Sequence, residues 1–371
     1  MTDLLTALRS QTGRMTEMLA ALVECESPSA NSDATATCAA LVDDFLLEML
    51  GTRAERVEVE GRTHLAWGLG ETGQVVLIGH LDTVWPMGTL AGWPFRVDGE
   101  TATGPGSFDM KAGVIQILFA LNALDDLDGV SVVLTTDEEL GSPTSRGLIE
   151  RVATGAKACL VMEPSADGAL KTERKGVAGY EVSVIGRSAH AGLEPELGIN
   201  AGVEIAYQVL AVDALNRPDV GTTVTPTVLA AGSSGNSVPA SARMNVDVRA
   251  LNGAEQERVD AALRGLQTRV PGTTLNVVRQ AMSPPLEREA SADLFYMARI
   301  LAEEIGLGPL GEASVGGGSD GNLTASLGVP TLDGLGAIGG RAHAEGEFVV
   351  ISSLPERAAL AALLVGKLTR G

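Results

Sequence analysis

Three short apolar runs, set apart by segments of helix length, constrain the fold more than any other feature. They are QVVLI at 74–78, SVVLTT at 131–136 and ACLVM at 158–162. A strand with one wet face alternates apolar and polar residues, whereas one covered on both faces reads as a continuous apolar run. Between and after the runs, 112–124 and 145–153 have apolar residues at helical spacing. Strands of this kind alternating with helices predict an α/β domain on a mainly parallel sheet covered on both faces. Upstream, the spacing of Cys38, Leu41, Val42, Phe45, Leu46 and Met49 predicts another helix, capped by Asp33 and stopped at Gly51.

The pattern changes after Lys175-Gly176. From there the sequence reads strand (177–186), helix (199–212), strand (222–231), strand (242–250), helix (254–268) and strand (273–280). That βαββαβ order is the split ferredoxin-like arrangement. The turn-rich stretch MSPPLE closes it, and α/β character then returns with a helix at 291–305, GGGSDGN, the short strand PTLDG and a last helix at 354–369. The expected organisation is therefore one α/β domain in two parts, 1–175 and 286–371, with a smaller domain inserted at 176–285. A length of 371 residues, more than one comfortable core, agrees with two domains.

Apolar residues make up 45% of the chain and charged residues 20%, a globular balance. The formal charge of -20 excludes nucleic acid and anionic membrane as natural partners, because both would be repelled. Cys25, Cys38 and Cys159 show no CxxC spacing. They read as small buried hydrophobes with no basic neighbour to make a thiolate, in a reducing compartment. The amino terminus shows no signal-type apolar core and no stretch reaches eighteen apolar residues, so a cytoplasmic protein is expected, or a periplasmic one if a leader has been trimmed.

The chemistry gathers where the predicted strands end. GHLDT follows the first apolar run, and the two-residue period of a strand turns His80 and Asp82 to one face, where one can brace the other. Glu138 and Glu139 follow the second run, Glu163 follows the third, Asp109 lies in the loop GPGSFDMK before a helix, and His343 lies in RAHAEGE. Ligands and catalytic groups in open α/β sheets collect at the carboxyl edge. Taken singly, a histidine is usually a hydrogen-bonded structural residue, and an acid after a strand is usually a cap. Their convergence favours a site, and Glu138-Glu139 most of all, since adjacent carboxylates at the end of a buried strand repel each other unless a cation is near. Two imidazoles with several carboxylates form a mixed N/O donor set suited to zinc or a related divalent ion.

Rival chemistries fit less well. GPGSFD has Asp109 where a dinucleotide fingerprint has its last glycine, and an acid there would repel a pyrophosphate. GSSG at 232–235 is not the GxSxG of a serine hydrolase. The acid cluster DDLDG is too short for a calcium loop.

The motifs GHLDTV, GPGSFDMKAG, TTDEELGS, MEPS, SAHAG, GNSVPASARMNVDVR, GGGSDGN and HAEGE, in that order over most of the chain, resemble those of the M20 metallopeptidases. Within that family the chain looks most like the glutamate carboxypeptidases of the carboxypeptidase G2 type. The resemblance implies a two-zinc α/β domain with an inserted lid that serves dimerisation, hence a homodimer acting on a small N-acyl amino acid or short peptide. It implies that Asp109 bridges two zinc ions, one also held by His80 and Glu163, the other by Glu139 and His343, with cobalt or manganese as substitutes. It makes Glu138 the general base and Asp82 the carboxylate that fixes the tautomer and angle of His80. It assigns His190 to the developing oxyanion in the other subunit's site, Asn236 and Arg249 to the substrate's terminal carboxylate, and Lys171 to a glutamate side chain. The glycines of GGGSDGN, Gly317 among them, fit either a close backbone approach to substrate or a plain helix-start turn. The activity implied is cleavage of an amide next to a free carboxylate, releasing glutamate or a similar amino acid from N-acyl or folate-type substrates. A deacylase of the acetylornithine or aminoacylase kind, a dipeptidase and a non-catalytic ligand-binding relative are the alternatives.

Overall fold

The computed structural model describes residues 2–70 and 75–370. Gln74, which opens the expected strand 74–78, lies outside the described residues. The chain forms two compact units. The first holds the described residues of Met1–Glu173, Leu286–Val315 and Ser319–Gly371; the second holds Arg174–Pro285 with Gly316–Gly318.

The sheet at the centre of the first unit runs in the order Glu55–Val59, Arg62–Trp67, Val130–Thr135, Val75–His80, Ala158–Val161, Thr331–Leu332. The first two pairings are antiparallel and the remaining three parallel, so the core of the sheet is parallel as the apolar runs require. Val75–His80, Val130–Thr135 and Ala158–Val161 are buried at every position. Successive residues turn to opposite faces. Val75 and Leu77 join the larger apolar cluster, with Phe119 of the helix Ala112–Asn122 and Leu360 of Ser353–Arg370. Val76 and Ile78 join a smaller cluster on the other face, with Leu148 and Ile149 of Arg146–Ala153.

The cap of the helix Ser32–Leu50 is Asn31, whose side chain accepts the N–H of Ala34; Asp33 stands inside the first turn. Gly51 ends that helix with φ 75, the left-handed conformation glycine adopts without steric cost. Gly113 permits a close approach: a Cβ there would lie 2.0 Å from the carbonyl oxygen of Met162, so only glycine lets Ala112–Asn122 sit against the segment that carries Glu163.

A second, smaller sheet lies in the same unit and had no signature in the sequence. It pairs Gly339–Gly340, Phe348–Val350, Thr101–Thr103 and Arg96–Asp98. Strands of two or three residues are too short to display a period. The cysteines depart from expectation in one respect. All three are free, but Cys25 is only partly buried, and Lys111, remote in sequence, donates from Nζ to its carbonyl oxygen at 2.9 Å. A hydrogen bond with Cys38, opposed by burial and helped by the Lys111 ammonium, lowers the Cys25 thiol to about 7.

The second unit is a four-stranded antiparallel sheet ordered Thr223–Ala231, Ser241–Ala250, Gly176–Ile185, Thr274–Ser283, with the helices Ala201–Asp213 and Gly253–Arg264. The chain visits the strands in the ferredoxin-like manner, and Gly176–Ile185 alternates buried and half-buried residues up to an exposed Ile185. Tyr180, Val182 and Val184 pack with Ile205, Val259 and Leu263 from the two helices. Among the described residues, no helix is long and apolar enough to cross a membrane.

Candidate metal centre

Parallel strands end at the same edge, and three of them deliver the acids and imidazole that the sequence aligned there. His80 closes Val75–His80, the Glu138–Leu140 turn follows Val130–Thr135, and Glu163 lies two residues beyond Ala158–Val161. The small sheet brings in the remaining two groups: Thr101–Thr103 leads into the Asp109 loop, and the hairpin of Gly339–Gly340 with Phe348–Val350 carries His343 at its turn. His343 itself has φ 60, a left-handed conformation uncommon for a non-glycine residue.

The carboxylate of Asp109 stands between the two imidazoles. Its Oδ1 lies 3.3 Å from His80 Nε2, and its Oδ2 lies 3.2 Å from His343 Nε2. Glu163 Oε1 is 3.4 Å from His80 Nε2, and Glu139 Oε1 is 3.0 Å from His343 Nε2. Two half-sites, each with one imidazole and one further carboxylate, thus share Asp109. Glu138 offers an oxygen to the group formed by His80 and Glu163. Lys171 Nζ is 4.0 Å from Glu163 Oε2, so the lysine stands at the rim beside a candidate ligand.

His80 is 2% exposed, and its Nδ1 is 2.9 Å from the backbone oxygen of Asp82. A carbonyl only accepts, so Nδ1 carries a hydrogen, and Nε2 is the ring atom that faces Asp109 and Glu163. The brace on His80 is therefore the main chain of Asp82 rather than its carboxylate, whose Oδ1 is 3.7 Å from Nδ1. The fully buried Asp82 side chain instead accepts the N–H groups of Glu138 and Glu139, each at 3.2 Å, and the Ser29 hydroxyl at 2.7 Å. It holds the turn that presents the two acids.

The electrostatics are those of crowded acids. Burial, with Glu163, Asp320 and Glu139 adding repulsion, pushes the Glu138 carboxyl well above its usual range although His80 pulls the other way. Burial opposes charge on His80, but Asp109 and Glu163 outweigh it and hold the imidazole well above its ordinary value. Asp109 and then Glu139 raise His343 to about 10. Asp109, whose burial would raise it, is held far below the carboxylate range by His343 and His80. A divalent ion would replace the positive charge that the imidazoles carry among these carboxylates, and two nitrogens with several hard oxygens fit zinc or a similar divalent ion.

The other expected site residues lie in the second unit. His190 Nδ1 accepts the N–H groups of Gly192 and Leu193, each at 3.1 Å, which leaves the ring proton on exposed Nε2. Asn236 is next to it, its carbonyl accepting the N–H of Ala191 at 2.9 Å. Arg249 already holds a carboxylate: Nε and Nη2 donate to Asp247 at 3.0 and 3.1 Å, and Nη1 reaches the carbonyl of Gly316 at 3.5 Å. The carbonyls of Gly317 and Gly318 accept from Arg174 Nη1, each at 3.1 Å, and a Cβ on Gly317 would meet nothing nearer than 4.0 Å.

Three further acids at the site lie inside the motifs but carried no role in the sequence reading. Asp320, inside GGGSDGN, is buried beside it, accepts from Thr135 and Ser142, and is pushed to about 7 by burial. Asp137, adjacent to Glu138, takes Thr144 and Ser145. Glu347, four residues beyond His343, takes N–H groups from the Asp109 loop. The fourth histidine, His64, is a buried structural residue accepting the N–H of Thr136 at 3.2 Å.

Residues 76–367 match the model of peptidase family M20/M25/M40. The chain belongs to that family. It is 36% identical over 312 residues to carboxypeptidase G2 of Pseudomonas sp. (strain RS-16), a match covering 80% of this chain and 74% of the relative. Aminopeptidase PepT of Bacillus cereus ATCC 10987 superposes with a TM-score of 0.77 at 21% identity, over 96% of this chain and 99% of its own. The YXEP protein of Bacillus subtilis, a dinuclear metal binding peptidase from the M20 family, does so with a TM-score of 0.68 at 17% identity, over 97% and 99%. The family membership makes this chain an M20-type metallopeptidase, and the two structural likenesses speak to the fold alone.

Proposed function

We propose that this metallopeptidase is a two-zinc carboxypeptidase that cleaves the amide next to a free carboxylate and releases glutamate or a similar amino acid from N-acyl or folate-type substrates. The observation that carries the reading is the sharing of Asp109 between two imidazole and carboxylate pairs. The 36% identity to carboxypeptidase G2 supports the substrate class. His80, Asp109 and Glu163 would hold one ion and Asp109, Glu139 and His343 the other. Such a pair, zinc with cobalt or manganese as substitutes, would polarise a carbonyl and lower the pKa of water towards neutrality when bound.

The chain's own groups divide the remaining work. Glu138, set beside His80 and Glu163, accepts a proton from water at one carboxylate oxygen and returns it to the leaving nitrogen. Asp82 keeps Glu138 and Glu139 in place through their backbone N–H groups. His190, protonated on Nε2, is a donor for the developing oxyanion. Arg249 offers a substrate carboxylate the guanidinium edge that Asp247 leaves open, with Asn236 as a further polar contact and Lys171 as a cation near Glu163 for a side-chain carboxylate. The stretch around Gly317 leaves backbone open on one side.

A homodimer through the second unit belongs to the same reading. Leu210, Leu229, Val228 and Tyr207 there are 69%, 56%, 55% and 50% exposed, an apolar content that a partner subunit would cover. The test of the reaction is chelation. Protein stripped of divalent ions should lose hydrolysis of an N-acyl-glutamate and recover it on adding zinc; hydrolysis indifferent to both steps overturns the reading.

A further inference from the structure

Glu347 has no part in the chemistry above, yet its carboxylate accepts four hydrogen bonds beside the centre. It is 0% exposed. Oε1 accepts the backbone N–H of Phe108 at 2.8 Å and of Asp109 at 2.9 Å. Oε2 accepts the N–H of Gly106 at 3.0 Å and the indole N–H of Trp85 at 2.9 Å. The main chain of Glu347 adds to this, its carbonyl accepting the N–H of Gly104 at 3.3 Å and its own N–H closing the His343 turn on Ala344 at 3.1 Å.

A loop that turns several N–H groups inwards leaves them unsatisfied unless an acceptor is supplied, and a buried carboxylate supplies one to all of them. Here the acceptor is part of the segment that carries His343, while the donors belong to the loop that carries Asp109, 238 residues away in sequence. The tolerance at Asp109 is small, because its two oxygens serve His80 and His343 at once. A shift of the loop would break one half-site or the other.

We propose that Glu347 is a positioning residue that preforms the 106–109 turn and fixes the Asp109 carboxylate relative to His343 before any cation binds. The proposal rests on the reading of Asp109 as a shared metal ligand. It acts through hydrogen bonds to the backbone, so its effect belongs to metal affinity and ligand geometry as well as to turnover.

Two measurements test it. In the metal-free wild type, the amides of Gly106, Phe108 and Asp109 should exchange slowly with deuterium. Exchange as fast as in an open loop overturns the proposal, and this arm needs no variant. In Glu347→Gln, with folding checked by circular dichroism, zinc affinity measured against a competing chelator should fall roughly 10- to 100-fold, the usual cost of losing a residue that orients a ligand. The visible spectrum of the cobalt-loaded variant should also differ from wild type. A folded Glu347→Gln with unchanged affinity and cobalt spectrum overturns the proposal, since a residue that only stabilised the fold would alter neither. Wild-type protein that binds no divalent ion would sink the two-metal reading instead, while the exchange measurement would still decide whether Glu347 orders the loop.

Discussion

At the scale of single residues, the site depends on carboxylates that differ in what they accept. Asp82 and Glu347 spend their oxygens mainly on backbone N–H groups, and so hold the turns on which Glu138, Glu139 and Asp109 are presented. Glu138 is different, buried among other acids that raise its proton affinity. Replacing it by Gln keeps the shape and removes the base. Glu138→Gln should retain its metal content by elemental analysis and lose at least about two orders of magnitude in kcat, the scale of a lost general base. Comparable turnover in that variant would remove its role. The residues nearest the chemistry were legible because each stands beside an apolar run or inside a motif. Asp82 stands beside His80 as its place in the sequence implies, but its carboxylate also accepts from the Glu138–Glu139 turn, which only folding brings near.

At the scale of elements, the long strands and helices were legible from period and the short ones were not. The strands Thr101–Thr103 and Gly339–Gly340 carry no pattern of their own, yet their sheet brings Asp109 and His343 together. In the second unit, charge ties the helices to the loops. Glu255 at the start of Gly253–Arg264 is bound by Arg258, Thr222 and Arg217, with Arg258 the main cause of its fall to about 2. Burial would raise Glu204 of Ala201–Asp213, but the N–H groups of Val270 and Arg269 with Gln208 keep it below its usual value. A folded-state pKa below the unfolded one means stability that is complete above the unfolded value, about 4.3, and is lost as pH falls through the folded one. Hydrogen exchange across 201–213 and 253–264 should therefore accelerate between about pH 4.5 and pH 2. Glu255→Gln should flatten that dependence; an unchanged pH response in the variant counts against the assignment.

At the scale of the whole molecule, the proposed homodimer makes a prediction about shared sites. If His190 serves the partner's centre, mixing His190→Ala with Glu138→Ala subunits creates heterodimers in which one centre has both an intact Glu138 and an intact His190. Activity should reappear on mixing and reversible dissociation, while a site completed within one subunit would recover none. The alternation of apolar runs with helical segments, and the residues standing where those runs end, were determined by the sequence alone, because strand period and the solvent's exclusion from a buried sheet act locally. What only the tertiary structure decided was the pairing of distant groups: Asp109 with both imidazoles, Asp82 with the acid turn, Lys111 with Cys25, Glu347 with the Asp109 loop. Hydrogen bonds and Coulomb forces act over a few ångströms, and the chain distances they bridge here leave no trace in any local pattern.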